Sequence, residues 1–158
     1  SVERLDDEMA TLVVFDVGGQ RYAIEIARVR EIINPLPLTP VPNAPRFVEG
    51  VAESRGAMFP VVDLRRRFGL GKSAFARGTR FIVIGIRSRI VGLVVDAVRE
   101  VLRIPRADIR ATKAIDNHKR VTLFSGACRH KDGMVMVLDI EQVLSSDETI
   151  TLRPEESP

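Results

Sequence analysis

Cysteine, tyrosine and tryptophan are nearly missing from this sequence: its 158 residues hold one cysteine, one tyrosine and no tryptophan. A lone Cys128 cannot form an intramolecular disulfide, so the chain is not a small stapled secreted domain, and a reducing compartment is its natural setting. No apolar run approaches the roughly 18–20 residues that a membrane-crossing helix needs. The opening "SVERLDDEMATL" is charged and has no apolar stretch, so no signal peptide is expected at the start of the chain. A soluble protein without direct membrane insertion is the expectation.

Chemistry-bearing residues are equally sparse. His118 and His130 are the only histidines, and Cys128 lies two residues before the second. One Cys–His pair falls short of the four ligands that a structural zinc site wants. As a nucleophile and base the pair also fails, because i and i+2 on one strand share a face without aiming the base at the thiol, and no third group orients it. "GLGKS" at 69–73 imitates the end of a phosphate-binding loop, but Arg66 stands where the first glycine of that pattern belongs, and a helix-like segment precedes it instead of a strand. Asp63 and Asp139 stand where strands turn into helices, a place for capping aspartates. No catalytic residue, cofactor or metal is expected.

Charge is plentiful but mixed, with 24 basic and 21 acidic residues interspersed to a net +3. The sequence pI of about 9.5 raises nucleic acid as a remote alternative partner. The only basic run, "LRRRFG" with Arg65, Arg66 and Arg67, lacks the interleaved aromatic residues on which bases stack. A solvated helix face or an acidic protein partner suits it better. The 45% hydrophobic content is that of an ordinary globular domain able to bury a core.

What the sequence does contain is itself, twice. "LVVF" at 12–15 falls on "FIVI" at 81–84, sixty-nine positions on, and Val29-Arg30-Glu31 falls on the identical Val98-Arg99-Glu100. The register then slips by seven residues. Beyond the slip Gly50 meets Gly126, Met58 meets Met134, and "PVVDL" at 60–64 meets "MVLDI" at 136–140. Each copy consists of short strands. "TLVVFDV" and "RYAIEI" flank Gly18-Gly19, a hairpin signal, and "RFIVIGI" and "RIVGLVV" repeat the hairpin across Arg87-Ser88. "FIVIGI" and "VGLVV" are apolar on both faces, so each copy should pack on the other. "NPLPLTPVPNAP", with five of the nine prolines, cannot be a helix or a central strand and should run extended over the surface. Each copy closes with a strand and a short helix.

These patterns predict a mainly β protein: two packed five-stranded β-barrels related by an internal pseudo-two-fold duplication, with short helices. The expected subdomains are residues 11–78 for the first barrel and 79–145 for the second, with 146–158 a polar tail. Val29 and Val98 should occupy equivalent places.

The stretch "VPNAPRFVEGVAESRGAMFPVVDLRRRFGL" at 41–70, with "YAIEIARVREI", "GLVVDAVREVL" and "DGMVMVLDIEQVL", resembles the CheW family, bacterial adaptors that link chemoreceptors to a histidine kinase. The resemblance covers roughly residues 10–145. It implies SH3-like barrels and a non-enzymatic scaffold that is cytoplasmic and recruited to membrane-associated receptor arrays; a free monomer is the default expectation. Its implied partners are the regulatory domain of a CheA-type histidine kinase and the cytoplasmic tip of chemoreceptors, received in an apolar groove between the barrels. A pilus-motility or other chemosensory pathway is the alternative setting. By motif, Arg55 is the arginine of the family's Asn-Leu-Arg-Gly turn and Gly50 the glycine ahead of it. Val29, Glu31 and Val98 fall in segments used for partner contacts. The turn here reads Glu53-Ser54-Arg55-Gly56, so Glu53 adds a charge able to pair with Arg55 and compete with a partner.

Overall fold

Hairpins build the molecule, and they come in matched pairs. The computed structural model describes residues 8–111 and 123–145. Strands β1 (Met9–Val17) and β2 (Gln20–Glu25) pair antiparallel across Gly18-Gly19. Both turn glycines hold positive φ, 58° and 84°, which only glycine adopts without a Cβ penalty. A crossing strand, β3 (Val29–Ile33), precedes the second hairpin of this half, β4 (Val48–Ser54) with β5 (Ala57–Asp63). The short helix α1 (Leu64–Arg67) follows. The second half repeats the order with β6 (Arg80–Ile86) and β7 (Arg89–Val95), then β8 (Ala97–Pro105) and a two-residue β9 (Arg110–Ala111). It closes with β10 (Phe124–His130), β11 (Gly133–Leu138) and α2 (Ile140–Leu144). Asp63 and Asp139 cap the two helices by accepting from the N–H of Arg65 and of Gln142, the role that their sequence position indicates.

The strands assemble into two sheets, β8-β1-β2-β11-β10-β9 and β3-β6-β7-β5-β4. Exchanging each strand for its repeat partner converts the first five strands of one sheet into the other, so the duplication relates the whole topology by a pseudo-two-fold. Even the irregularities repeat. Arg30 bulges out of β3 and Arg99 out of β8, while Glu49 and Ser125 bulge out of β4 and β10. Val29 stands opposite Ile84 and Val98 opposite Phe15, themselves repeat partners. The expected equivalence holds.

The expected subdomain limits do not. Residues 11–78 make no sheet of their own, because β3, β4 and β5 pair with β6 and β7 of the other half, and β1 and β2 pair with β8 and β11. The cause lies in the parallel pairs β2–β11 and β5–β7. A parallel neighbour cannot be supplied by a tight turn and must arrive from a distant part of the chain. The tail at 146–158, the insertion at 112–122 and His118 lie outside the described residues.

The exchange explains strands that are apolar on both faces. Leu12 and Val14 of β1 fill the concave side of their own sheet, while Val13, Phe15 and Val17 join the core between the sheets. In β6 the same division puts Phe81 and Val83 inside and Ile82 and Ile84 in the shared core. The proline-rich segment runs over the surface without helix, as expected, but turns at Pro42-Asn43, where Asn43 holds φ 61°, and its first part also serves as a cover. Thr39 exchanges backbone hydrogen bonds with Val51 (2.9 and 2.8 Å), and Leu36 and Leu38 pack against the inner core of the second sheet.

Gly50 makes that approach possible, since a Cβ there would sit 2.7 Å from the Thr39 carbonyl oxygen. Gly126 does the same for residues 109–110, with a Cβ 2.7 Å from the Arg110 carbonyl oxygen. The obstructing atoms are backbone and cannot swing aside. Gly50→Ala is expected to cost about 1–3 kcal/mol, read as a lower denaturation midpoint at unchanged slope. A variant as stable as the parent would show that the strap gives way freely.

Candidate partner-binding surfaces

A recognition surface takes shape at the tip between β4 and β5. The tip residues Arg55 and Gly56 both hold positive φ, 53° and 81°. Asn-Gly or Gly-Gly fits such a turn with less strain, so arginine is kept here against backbone preference. The Arg55 side chain is 83% exposed, and its Nη2 lies 3.8 Å from Oε1 of Glu31 on β3. An ion pair this exposed contributes little stability, about 0–1 kcal/mol. It links an edge strand of the sheet to the turn that ends the opposite edge, the geometry of a sheet curled toward closure. Glu53, expected to pair with Arg55, does not do so. The pleat alternates it with the inward-facing Ala52, so it lies outside and opposite Met58, whereas Glu31 shares the inward side of β3 with Ile33.

The other sheet carries the same device. Lys131, at φ 55° on the β10–β11 tip, lies 3.6 Å from Glu100 of β8. His130 Nε2 lies 3.1 Å from the same carboxylate. Burial pushes the Glu100 carboxyl upward, but the His130 hydrogen bond and the Lys131 charge outweigh it and hold the group below its ordinary value. Exposed apolar side chains flank both ion pairs: Ile32 and Met58 on one sheet, Val101 and Met134 on the other.

Of the six residues singled out by sequence, Glu31 and Arg55 therefore meet at one end of one sheet, and Glu53 stands on the outer face of β4 beside the same tip. Val29 and Val98 do not join them; both are partly buried against the shared core. Gly50 serves the backbone approach described above.

The family resemblance implied an apolar groove, but sequence reasoning named none of the residues that line one: a groove of about 340 Å³ lies between the β5–β7 face and α2. Its apolar lining comes from Phe47, Val48, Val62, Val91 and Leu144. At its rim Arg87 Nη2 meets Glu141 Oε1 at 3.0 Å, and Arg89 stands exposed beside them. These residues lie in four separate segments, each of which reads alone as ordinary strand, turn or helix.

The features that suggested other chemistry are taken up by the fold. Arg65 makes a two-pronged contact with Asp96, at 3.2 and 3.0 Å, which raises its pKa further. Arg66 pairs with Glu49 at 3.3 Å. Arg67 donates from Nε to the Val143 carbonyl at 2.7 Å and lies over the Phe47 ring, satisfying the open end of α2. The basic run that raised nucleic acid is thus turned onto internal partners. Ser73, the serine of "GLGKS", is buried and donates both its N–H (2.8 Å) and its hydroxyl to Asp63. Cys128 is buried in the inner core of the first sheet, where desolvation, then the Asp108 charge, pushes its thiol pKa up. Among the described residues no three His, Cys, Asp or Glu side chains could hold a metal, and no helix is long and apolar enough to cross a membrane.

Residues 11–148 match the CheW-like domain. The chain is 35% identical to the chemotaxis protein CheW of Rhizobium meliloti, over 87% of this chain and 88% of that one. It is 32% identical to the CheW of Helicobacter pylori, over 90% and 86%. Among solved structures, the scaffolding protein CheW of Thermoanaerobacter tengcongensis superposes with a TM-score of 0.76 at 29% identity, over 88% of this chain and 90% of that one. A mainly β fold of two curled sheets, two surfaces suited to other proteins, and these relatives lead to one conclusion: the chain belongs to the CheW-like family of chemotaxis coupling adaptors.

Proposed function

We propose that this protein is a non-enzymatic scaffold that holds the regulatory domain of a CheA-type histidine kinase and the cytoplasmic tip of a chemoreceptor at once, in the cytoplasm and at receptor arrays. The observation that carries the reading is the apolar groove between the β5–β7 face and α2, rimmed by Arg87 and Arg89. Its shape suits the apolar face of a helix, and the arginines suit acidic residues one turn away. The Arg55 tip, with Met58 beside it, offers a separate surface, so two partners need not compete. An exposed arginine with several directed donors suits recognition more than folding.

Arg55→Ala tests the tip. It is expected to leave the melting temperature almost unchanged, since the Glu31 pair is exposed, and to weaken kinase-domain or receptor-fragment binding at least tenfold in a pull-down or titration. Glu31→Gln, which releases Arg55 from its ion pair with Glu31, should strengthen the same binding. An Arg55→Ala protein that unfolds would make the arginine structural. One that binds both partners normally would make it idle.

A further inference from the structure

The duplication should produce two grooves, yet among the described residues one lies open and its counterpart is lined by packed aromatic rings. The groove-lining Val91, Leu144 and Val48 have repeat partners on the far side. There Tyr22 replaces Val91, Phe68 replaces Leu144 and Phe124 replaces Val48. These three rings pack together with centroids 4.8, 5.9 and 6.0 Å apart. Tyr22 also touches Phe15 in the shared core and is itself buried. The rim is closed as well. Gly18 replaces Arg87, and Leu70 lies so close over it that a Cβ on Gly18 would fall 2.6 Å from Leu70 Cδ1. Arg65 replaces Glu141 and is drawn to Asp96, which also accepts from the Gly18 N–H at 2.8 Å. The aromatic side packs onto the shared core, while the aliphatic side keeps its 340 Å³ of open space.

The geometry points to a built-in plug: Tyr22, Phe68 and Phe124 close a latent second helix groove, and Val91, Leu144 and Val48 keep the first one open, so that each chain takes a single amphipathic helix with an acidic flank. This deepens the proposed function and rests on its reading of the open groove as the helix site. The chemistry is steric. Aromatic rings in one groove supply internally the apolar contacts that a partner helix supplies in the other, and a site so filled has no cleft left for a helix to enter. The occupant follows from the rim, where the exposed guanidinium of Arg89 adds to Arg87 against the single carboxylate of Glu141.

The probe is a soluble chemoreceptor fragment containing the hairpin tip, with the kinase regulatory domain as a second ligand. Val91→Tyr combined with Leu144→Phe transplants the plug into the open groove. It should fold, keep kinase-domain binding and lose fragment binding at least tenfold. Phe124→Val and Phe68→Leu, both at half-buried positions, unplug the other side singly and together. They should raise the saturating ratio from one fragment per chain toward two. If the transplanted plug leaves fragment binding intact, the open groove is not the helix site, and the reading beneath this inference falls with it. If transplantation abolishes binding while the folded unplugged variants stay at one fragment per chain, the helix site stands and the plug is overturned. Should the double unplugged variant fail to fold, the single Phe124→Val variant decides between the same two results.

Discussion

Residues 1–78 and residues 79–158, produced as separate chains, are each expected to be unfolded, and mixing them should restore strand structure. The reason is the exchange between the sheets. In the order β3-β6-β7-β5-β4 the two middle strands belong to the second half, so the first half alone holds an isolated β3 and one β4–β5 hairpin from that sheet. It also holds the β1–β2 hairpin without its neighbours β8 and β11. A two-stranded hairpin is at best marginally stable in water. The shared core would also be cut apart, separating Phe15, Ile24 and Val62 from Ile82, Ile84 and Leu93. Far-ultraviolet circular dichroism and thermal melting at low micromolar concentration would test this. A cooperative melt from either half alone would mean that the halves are autonomous and that the exchanged pairing is not what stabilises them.

Asp63→Ala should be the most damaging single substitution outside the apolar core. Asp63 is fully buried, and its carboxylate accepts from the Arg65 N–H, the Ser73 N–H and the Ser73 hydroxyl. Loss of the cap costs about 1 kcal/mol, and each donor left buried without an acceptor costs about 1–3 kcal/mol. The expected total is about 3 kcal/mol or more, a fall in melting temperature on the order of 6–12 °C for a chain of this size. Asp63→Asn keeps one acceptor oxygen and should recover part of the loss. The repeat partner supplies the control. Asp139 is half-buried and, among the described residues, accepts one side-chain bond, from Gln142 N–H at 3.2 Å, so Asp139→Ala should cost about 1 kcal/mol. Equal losses at the two positions would mean that the Ser73 latch contributes nothing.

The sequence by itself determined the pieces and their number. Hairpins are local objects: Gly18-Gly19 marks one because glycine suits the turn, and the repeat of "LVVF" as "FIVI" marks its counterpart without any knowledge of space. The aspartates at 63 and 139 announce their helices for the same local reason, as does the proline-rich strap at 34–45. The resemblance to the CheW family was legible in the same way, as residues in order. Only the tertiary structure decided which hairpin lies beside which, because the parallel pairs β2–β11 and β5–β7 leave no mark at either strand. It decided that Arg55 meets Glu31 and not the nearer-numbered Glu53, because the pleat sends Glu53 to the other face of its strand. It also decided that one groove is open and the other filled, since Tyr22, Phe68 and Phe124 are three unremarkable apolar positions until the fold stacks their rings. Local conformation depends on neighbours in sequence, whereas a site depends on side chains that meet only after the chain has closed on itself.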